Sequence, residues 1–98
     1  MRLTGVGDIF SAAHQPPEGG DVHGHSYEVT AWFAAGEDAR LLQARLAAVL
    51  EPLDHTVLAA ELASGEAIAE QIGRNLAGCR QVDVSRPLER IYARWIAD

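Results

Sequence analysis

Three of the four histidines sit close together in the chain, as His14, His23 and His25. His23 and His25 have the same parity. On an extended strand their side chains leave one face, with Cα atoms roughly 6.5–7 Å apart, close enough for two imidazoles to converge on one ion. If the stretches on either side of residues 15–22 pair as a hairpin, His14 lies opposite that pair. Three neutral imidazoles with a fourth position open is the pattern of a catalytic zinc site, whereas structural sites are closed by four protein ligands. A His-x-His pair alone also describes ordinary surface histidines. The third histidine, returned to the same place by the hairpin, is what favours metal. Each ring then needs an acceptor on its other nitrogen, and the sequence does not name one.

Asp54-His55 is a second candidate, in a connection after Pro52. An aspartate can fix a histidine tautomer and stabilise its protonated form, which makes a proton donor or acceptor. The alternative is a turn aspartate beside a solvated histidine. Cys79, the only cysteine, reads as a small buried hydrophobe. Trp32 and Trp95 read as core or subunit-contact residues.

The 98-residue chain has room for one domain, residues 1–98, and too little core to be stable without help from a metal or from subunit packing; a lone cysteine excludes an internal disulfide. That cysteine suits a reducing compartment. The start lacks an apolar leader, and no apolar run is long enough to span a bilayer, so a cytoplasmic protein is expected. A net charge of −6, with eight basic residues that are all arginine, argues against nucleic acid as a partner. Arg80, Arg86, Arg90 and Arg94 nevertheless gather near the C-terminus. They form either a solvated strand face or a place to meet a small anion.

The elements that would position these residues follow from periodicity. Residues 3–13, with Val6, Ile9 and Phe10, read as a strand. Gln15 to Asp21, with Pro16-Pro17 and Gly19-Gly20, reads as a loop. Residues 22–34 alternate, with His23, His25, Tyr27, Val29, Ala31 and Phe33 on one side, and predict a long strand. Gly36-Glu37-Asp38 opens a helix striped by Leu41, Leu42, Leu46, Val49 and Leu50 and stopped by Pro52. Ser64 caps a second helix, with Ile68, Ile72 and Leu76 inward and Gly78 as its stop. Val82 and Val84 mark a third strand. Residues 88–96 predict a fourth, with Ile91, Ala93 and Trp95 on one face and a turn at 85–88 around Pro87. The order β-β-α-α-β-β predicts an α+β fold: four antiparallel strands with two helices on one face. The other face needs cover, which self-association would provide.

Four segments in order, Phe10-Ser11-Ala12-Ala13-His14, His23-Gly24-His25-Ser26-Tyr27, Leu53-Asp54-His55 and Ser64-x-Glu66, resemble the 6-pyruvoyltetrahydropterin synthase and 6-carboxytetrahydropterin synthase family. The resemblance runs from about residue 8 to 92. It implies a T-fold, whose subunit sheets join into an oligomeric barrel, usually a hexamer. It also implies Zn2+ held by His14, His23 and His25, acting on the side chain of a dihydropterin such as 7,8-dihydroneopterin triphosphate, on the way to a 7-deazaguanine such as queuosine. In that family zinc makes the side-chain hydroxyls and adjoining carbon positions more acidic. His55 would relay the proton and Asp54 orient it, with His55 serving a neighbouring subunit's zinc. Ser64 and Glu66 match positions that contact the pterin ring.

This chain departs from the family pattern at several positions. Gly19 stands where the family has its cysteine base, and Glu18 and Asp21 lie nearby as acidic substitutes, with metal-bound water as a third option. Arg86 aligns where a glutamate anchors the pterin, and Glu89 could replace that glutamate only if the turn shifts. The asparagine that follows the Asp-His element is Ala59 here. Three readings follow: a pterin lyase, an enzyme whose Arg86 meets the carboxylate or phosphate of another substrate, and a zinc-binding T-fold oligomer without catalysis.

Overall fold

The computed structural model describes residues 1–16 and 18–98; Pro17, half of the expected Pro-Pro loop signal, lies outside them. Two twelve-residue strands, β1 (Leu3–His14) and β2 (His23–Ala34), pair antiparallel in continuous register from Leu3 opposite Ala34 to His14 opposite His23. β3 (Cys79–Arg86) and β4 (Ile91–Ile96) complete a sheet of order β1-β2-β3-β4. Helices α1 (Ala39–Leu50) and α2 (Gly65–Arg74) lie between β2 and β3 in sequence, with a short 3-10 turn at Ala60–Leu62 that the sequence did not suggest. This is the expected α+β order.

Period-two patterning determines which side of the sheet is covered. Val6, Phe10, Ala12 and His14 from β1 face the same side as Tyr27, Val29, Ala31 and Phe33 from β2 and Val82 and Val84 from β3; all are buried. The helices cover that side. Leu42, Leu46 and Leu50, each four residues from the next, form the buried stripe of α1. Leu41, expected in that stripe, is exposed instead, because it sits one residue, or about 100°, round the helix from Leu42. Both helices begin where side chains cap them. Asp38 accepts from the Arg40 N–H at 2.9 Å, and Ser64 accepts from the Ala67 N–H at 3.2 Å.

Helix α2 ends at Arg74, before the Gly78 stop expected from sequence, and Leu76 is buried in the turn beyond it. α2 packs across β3 and β4 so closely that a Cβ on Gly73 would lie 2.1 Å from the Trp95 ring. The β3–β4 turn also differs from expectation. Ser85 and Arg86 still pair, with Tyr92 and Ile91, so the turn is residues 87–90 and β4 starts at Ile91. Pro87 has no N–H to continue the ladder, and Arg90, at φ 57°, reverses the chain. The shift places Glu89 inside the turn.

The outer edge of β1 is covered where it approaches His14. The Ser11 carbonyl accepts from the His55 N–H at 2.6 Å, the Ala13 N–H donates to Thr56 at 2.9 Å, and Ala13 accepts from Leu58 at 2.8 Å. These bonds satisfy an edge that would otherwise be open, and they fix Asp54-His55 beside the strand. No helix among the described residues is long and apolar enough to cross a membrane.

Candidate metal centre

The histidine cluster stands at the loop end of the β1–β2 hairpin, where His14 closes β1 and His23 opens β2. The register puts His14 opposite His23 and Ala12 opposite His25. The three rings meet edge to face with centroids 4.7–4.8 Å apart. One ring nitrogen from each lies within 4.8 Å of the other two.

The hydrogen bonds on the remaining nitrogens set the chemistry. His14 Nδ1 lies 2.9 Å from the Ala63 carbonyl, His23 Nδ1 lies 2.9 Å from the Asp21 carbonyl, and His25 Nδ1 lies 2.8 Å from Glu89 Oε1. A carbonyl or carboxylate oxygen only accepts, so each Nδ1 carries a hydrogen, and in the neutral ring each Nε2 keeps its lone pair. His14 Nε2 and His25 Nε2 are 3.0 Å apart. Two lone pairs at that distance need a positive centre between or beside them, and here the Arg86 guanidinium lies 3.0 Å from His25 Nε2. The donor set therefore fits a divalent ion bound by imidazole, with acceptors behind each ring that fix its tautomer and orientation. Burial lowers the pKa of His25; Glu89 opposes this, and the positive charge of Arg86 and the neighbouring His14 reinforce it. A neutral ring is the form that can act as a ligand.

A cavity of about 340 Å³ opens onto the cluster. His14 and His23 line it with Tyr27, Ser64, Glu66 and Arg86, and Glu18 lies at the same opening. Tyr27 stacks on Phe10 at 4.8 Å, and burial, only partly offset by Arg86, raises its pKa, so it stays a phenol able to donate. Arg86 reaches the cavity because it continues the inward face of Val82 and Val84 beyond the helices. Its Nη1 donates to His25 Nε2 at 3.0 Å and lies 3.3 Å from Glu89 Oε2.

Not every sequence candidate comes to this cavity. Asp21 reaches the cluster through its backbone carbonyl, and its carboxylate is not part of the cavity wall. Glu89, although the turn does shift, bonds to His25. The Asp54–His55 pair does form, Oδ2 to Nδ1 at 3.0 Å, but His55 lines a second, open groove, which it shares with Ser11, His25, Ser26 and Glu89. Asp54 Oδ1 accepts from the Ser11 N–H at 2.9 Å. That bond, opposed by slight burial and assisted by His55, holds the Asp54 carboxyl below the usual range. His55 has a left-handed backbone, φ 58°, a sparsely populated region for a residue other than glycine. Cys79 is buried opposite Phe33, far along the sheet from the histidines, and burial raises its pKa; it behaves as a hydrophobe.

Sequence reasoning missed the backbone acceptors Ala63 and Asp21, which have no side-chain signature, and the bond from Glu89 to His25. The arginine cluster divides: Arg86 faces the cavity, whereas Arg94 pairs with Asp83 at 2.7 Å.

A four-stranded antiparallel sheet with two helices on one side is the architecture of a T-fold subunit. Among solved structures the chain is similar to Caenorhabditis elegans 6-pyruvoyl tetrahydropterin synthase, with a TM-score of 0.79 and 18% identity over 99% of this chain and 96% of that one. At that identity the likeness shows the fold. No protein-family model matches the sequence, and no curated protein does.

Proposed function

We propose that this chain is a zinc-dependent enzyme that acts on the side chain of a dihydropterin such as 7,8-dihydroneopterin triphosphate, in the manner of 6-carboxytetrahydropterin synthase and on a route to a 7-deazaguanine such as queuosine. The observation that carries the reading is the convergence of His14, His23 and His25, each backed by an acceptor at Nδ1, beside a cavity that His14 and His23 line and that is large enough for a small molecule. A bound zinc would act as a Lewis acid toward substrate oxygens, a contribution of several kcal/mol at the transition state.

The rest falls to the protein. The rim carries Ser64 at the start of α2 and Glu66 in its first turn, where a carboxylate accepts from the amide and amino groups of a pterin edge. Glu18 is the better-placed base, since it lies at the cavity while the Asp21 carboxylate does not. Within one chain His55 faces the neighbouring groove, a position suited to a proton relay that serves the cavity of another copy, as in a homohexamer. Catalysis at pH 7 needs a group that takes a proton and another that returns it, and Glu18 and His55 supply them.

Purified protein loaded with zinc is expected to convert dihydroneopterin triphosphate, with the product read by absorbance and mass. Loss of that turnover in both His14→Ala and His55→Ala supports the reading; absence of turnover in the wild type overturns it. Arg86 favours a second reading, in which the same centre acts on a different substrate bearing a carboxylate or phosphate. Tight binding of such a compound, with no turnover of the pterin, would support it.

A further inference from the structure

Arg86 occupies an unusual place for a cation. Its Nη1–H points at the Nε2 lone pair of His25, the atom a metal would take, at 3.0 Å. Nε2 has one lone pair, so it serves the guanidinium or a metal ion, never both. Glu89 holds the arrangement from behind, with Oε1 on His25 Nδ1 at 2.8 Å and Oε2 3.3 Å from Arg86 Nη1. Both of these Arg86 contacts use Nη1. Among the described residues, neither Nη2 nor Nε of Arg86 makes a hydrogen bond, and the side chain lines the 340 Å³ cavity. A guanidinium with part of its fork free suits a planar or tetrahedral oxyanion. Glu18 and Glu66 share the cavity, so an oxyanion there needs positive charge from Arg86 and from the metal together.

We propose that Arg86 is a tethered competitor for the metal's place on His25, and that metal binding releases its guanidinium to hold the carboxylate or phosphoryl group of a substrate in the cavity. The inference rests on the histidines being a metal site. It makes metal and oxyanion binding mutually reinforcing. The metal frees the arginine, an oxyanion draws the arginine off His25, and each raises the affinity for the other by the same factor.

The opposing account makes Arg86 a brace that holds Glu89 against His25. The two accounts differ in sign. Removing a competitor tightens metal binding; removing a brace weakens it.

Zinc affinity measured against a competing chromophoric chelator, at fixed pH and ionic strength, separates them. Sulfate stands for a phosphoryl group, acetate for a carboxylate, and chloride is the reference. The wild type is expected to bind zinc at least about fivefold more tightly in sulfate or acetate than in chloride, the lower end of usual coupling factors, and the more effective anion names the group. Arg86→Ala, with Arg86→Met alongside to keep the packing of the stem, is expected to bind zinc at least about fivefold more tightly in chloride and to show no response to either anion. Unchanged or weaker zinc binding in both variants overturns the proposal while leaving the metal site standing. An anion response that persists in the variants also overturns it, because the anion would then be binding the zinc directly. If neither the wild type nor the variants bind zinc, the metal site itself fails and takes this inference with it.

Discussion

His25 and His55 are each bonded through Nδ1 to a carboxylate, Glu89 at 2.8 Å and Asp54 at 3.0 Å, yet the His25 side chain is 10% exposed and that of His55 82%. The same pair of groups therefore does different work in two settings. Beneath the helices, the carboxylate holds the ring so that its far nitrogen faces two other imidazoles, which suits a fixed ligand. At the edge of β1, the ring is open to solvent. A single chain assembles the histidine cluster from its own two strands, whereas His55 lies outside the 340 Å³ cavity, in an open groove that it shares with His25.

Removing one imidazole should divide the two sites most sharply. His14→Ala or His23→Ala is expected to lower zinc affinity by more than about 100-fold, beyond the range seen for groups behind the ligands. His55→Ala should leave zinc affinity within about twofold and lower only turnover. Titration calorimetry checks the first part, and a zinc loss in His55→Ala equal to that of His14→Ala would erase the distinction.

The carboxylates extend the test. Glu89→Gln removes the charge behind His25 and is expected to weaken zinc binding by about 10–100-fold, whereas Asp54→Asn should not change it. Equal effects from the two would mean that both rings belong to one site.

The packing of α2 on β4, distant from the histidines along the sheet, can be perturbed on its own. Gly73→Ala places a methyl group 2.1 Å from Trp95. Alanine improves helix propensity by about 1 kcal/mol, but overpacking costs about 1–3 kcal/mol. Thermal unfolding should show a net loss of about 0–2 kcal/mol, and a stabilised variant would mean that Trp95 has room to move.

The smallest effect concerns pH. The Asp54 carboxyl titrates below the usual range because Ser11 and His55 bond its ionised form. A carboxyl depressed in the folded state contributes stability that is fully present above its unfolded pKa, about 3.9, and is lost as pH falls through the lower folded value. Asp54→Asn should therefore flatten the fall in melting temperature below about pH 4 and change little at pH 7. An unaltered acid slope would show that the Ser11 bond does not persist in solution.

Parity and spacing made most of the fold legible. Hydrophobic alternation in β2 put His23 and His25 on the side of Tyr27 and Val29, and the hairpin then left His14 one place to go. Local signals were weaker where neighbours decide the outcome. Pro87 marked a turn but not its registration, which the Ser85–Tyr92 and Arg86–Ile91 pairs set. Leu41 and Leu42 were equally apolar, and only the sheet beneath α1 selected Leu42.

By itself, the sequence determined the order of elements and the face carrying three histidines. These depend on side-chain type and a period of two or 3.6 residues, both readable along a line. The tertiary structure decided which atoms oppose one another: the Ala63 carbonyl on His14, Glu89 and Arg86 on His25, and His55 in an open groove beside His25 and Glu89. Hydrogen bonds form over about 3 Å between residues as many as 64 positions apart, and no periodicity along the chain encodes that approach.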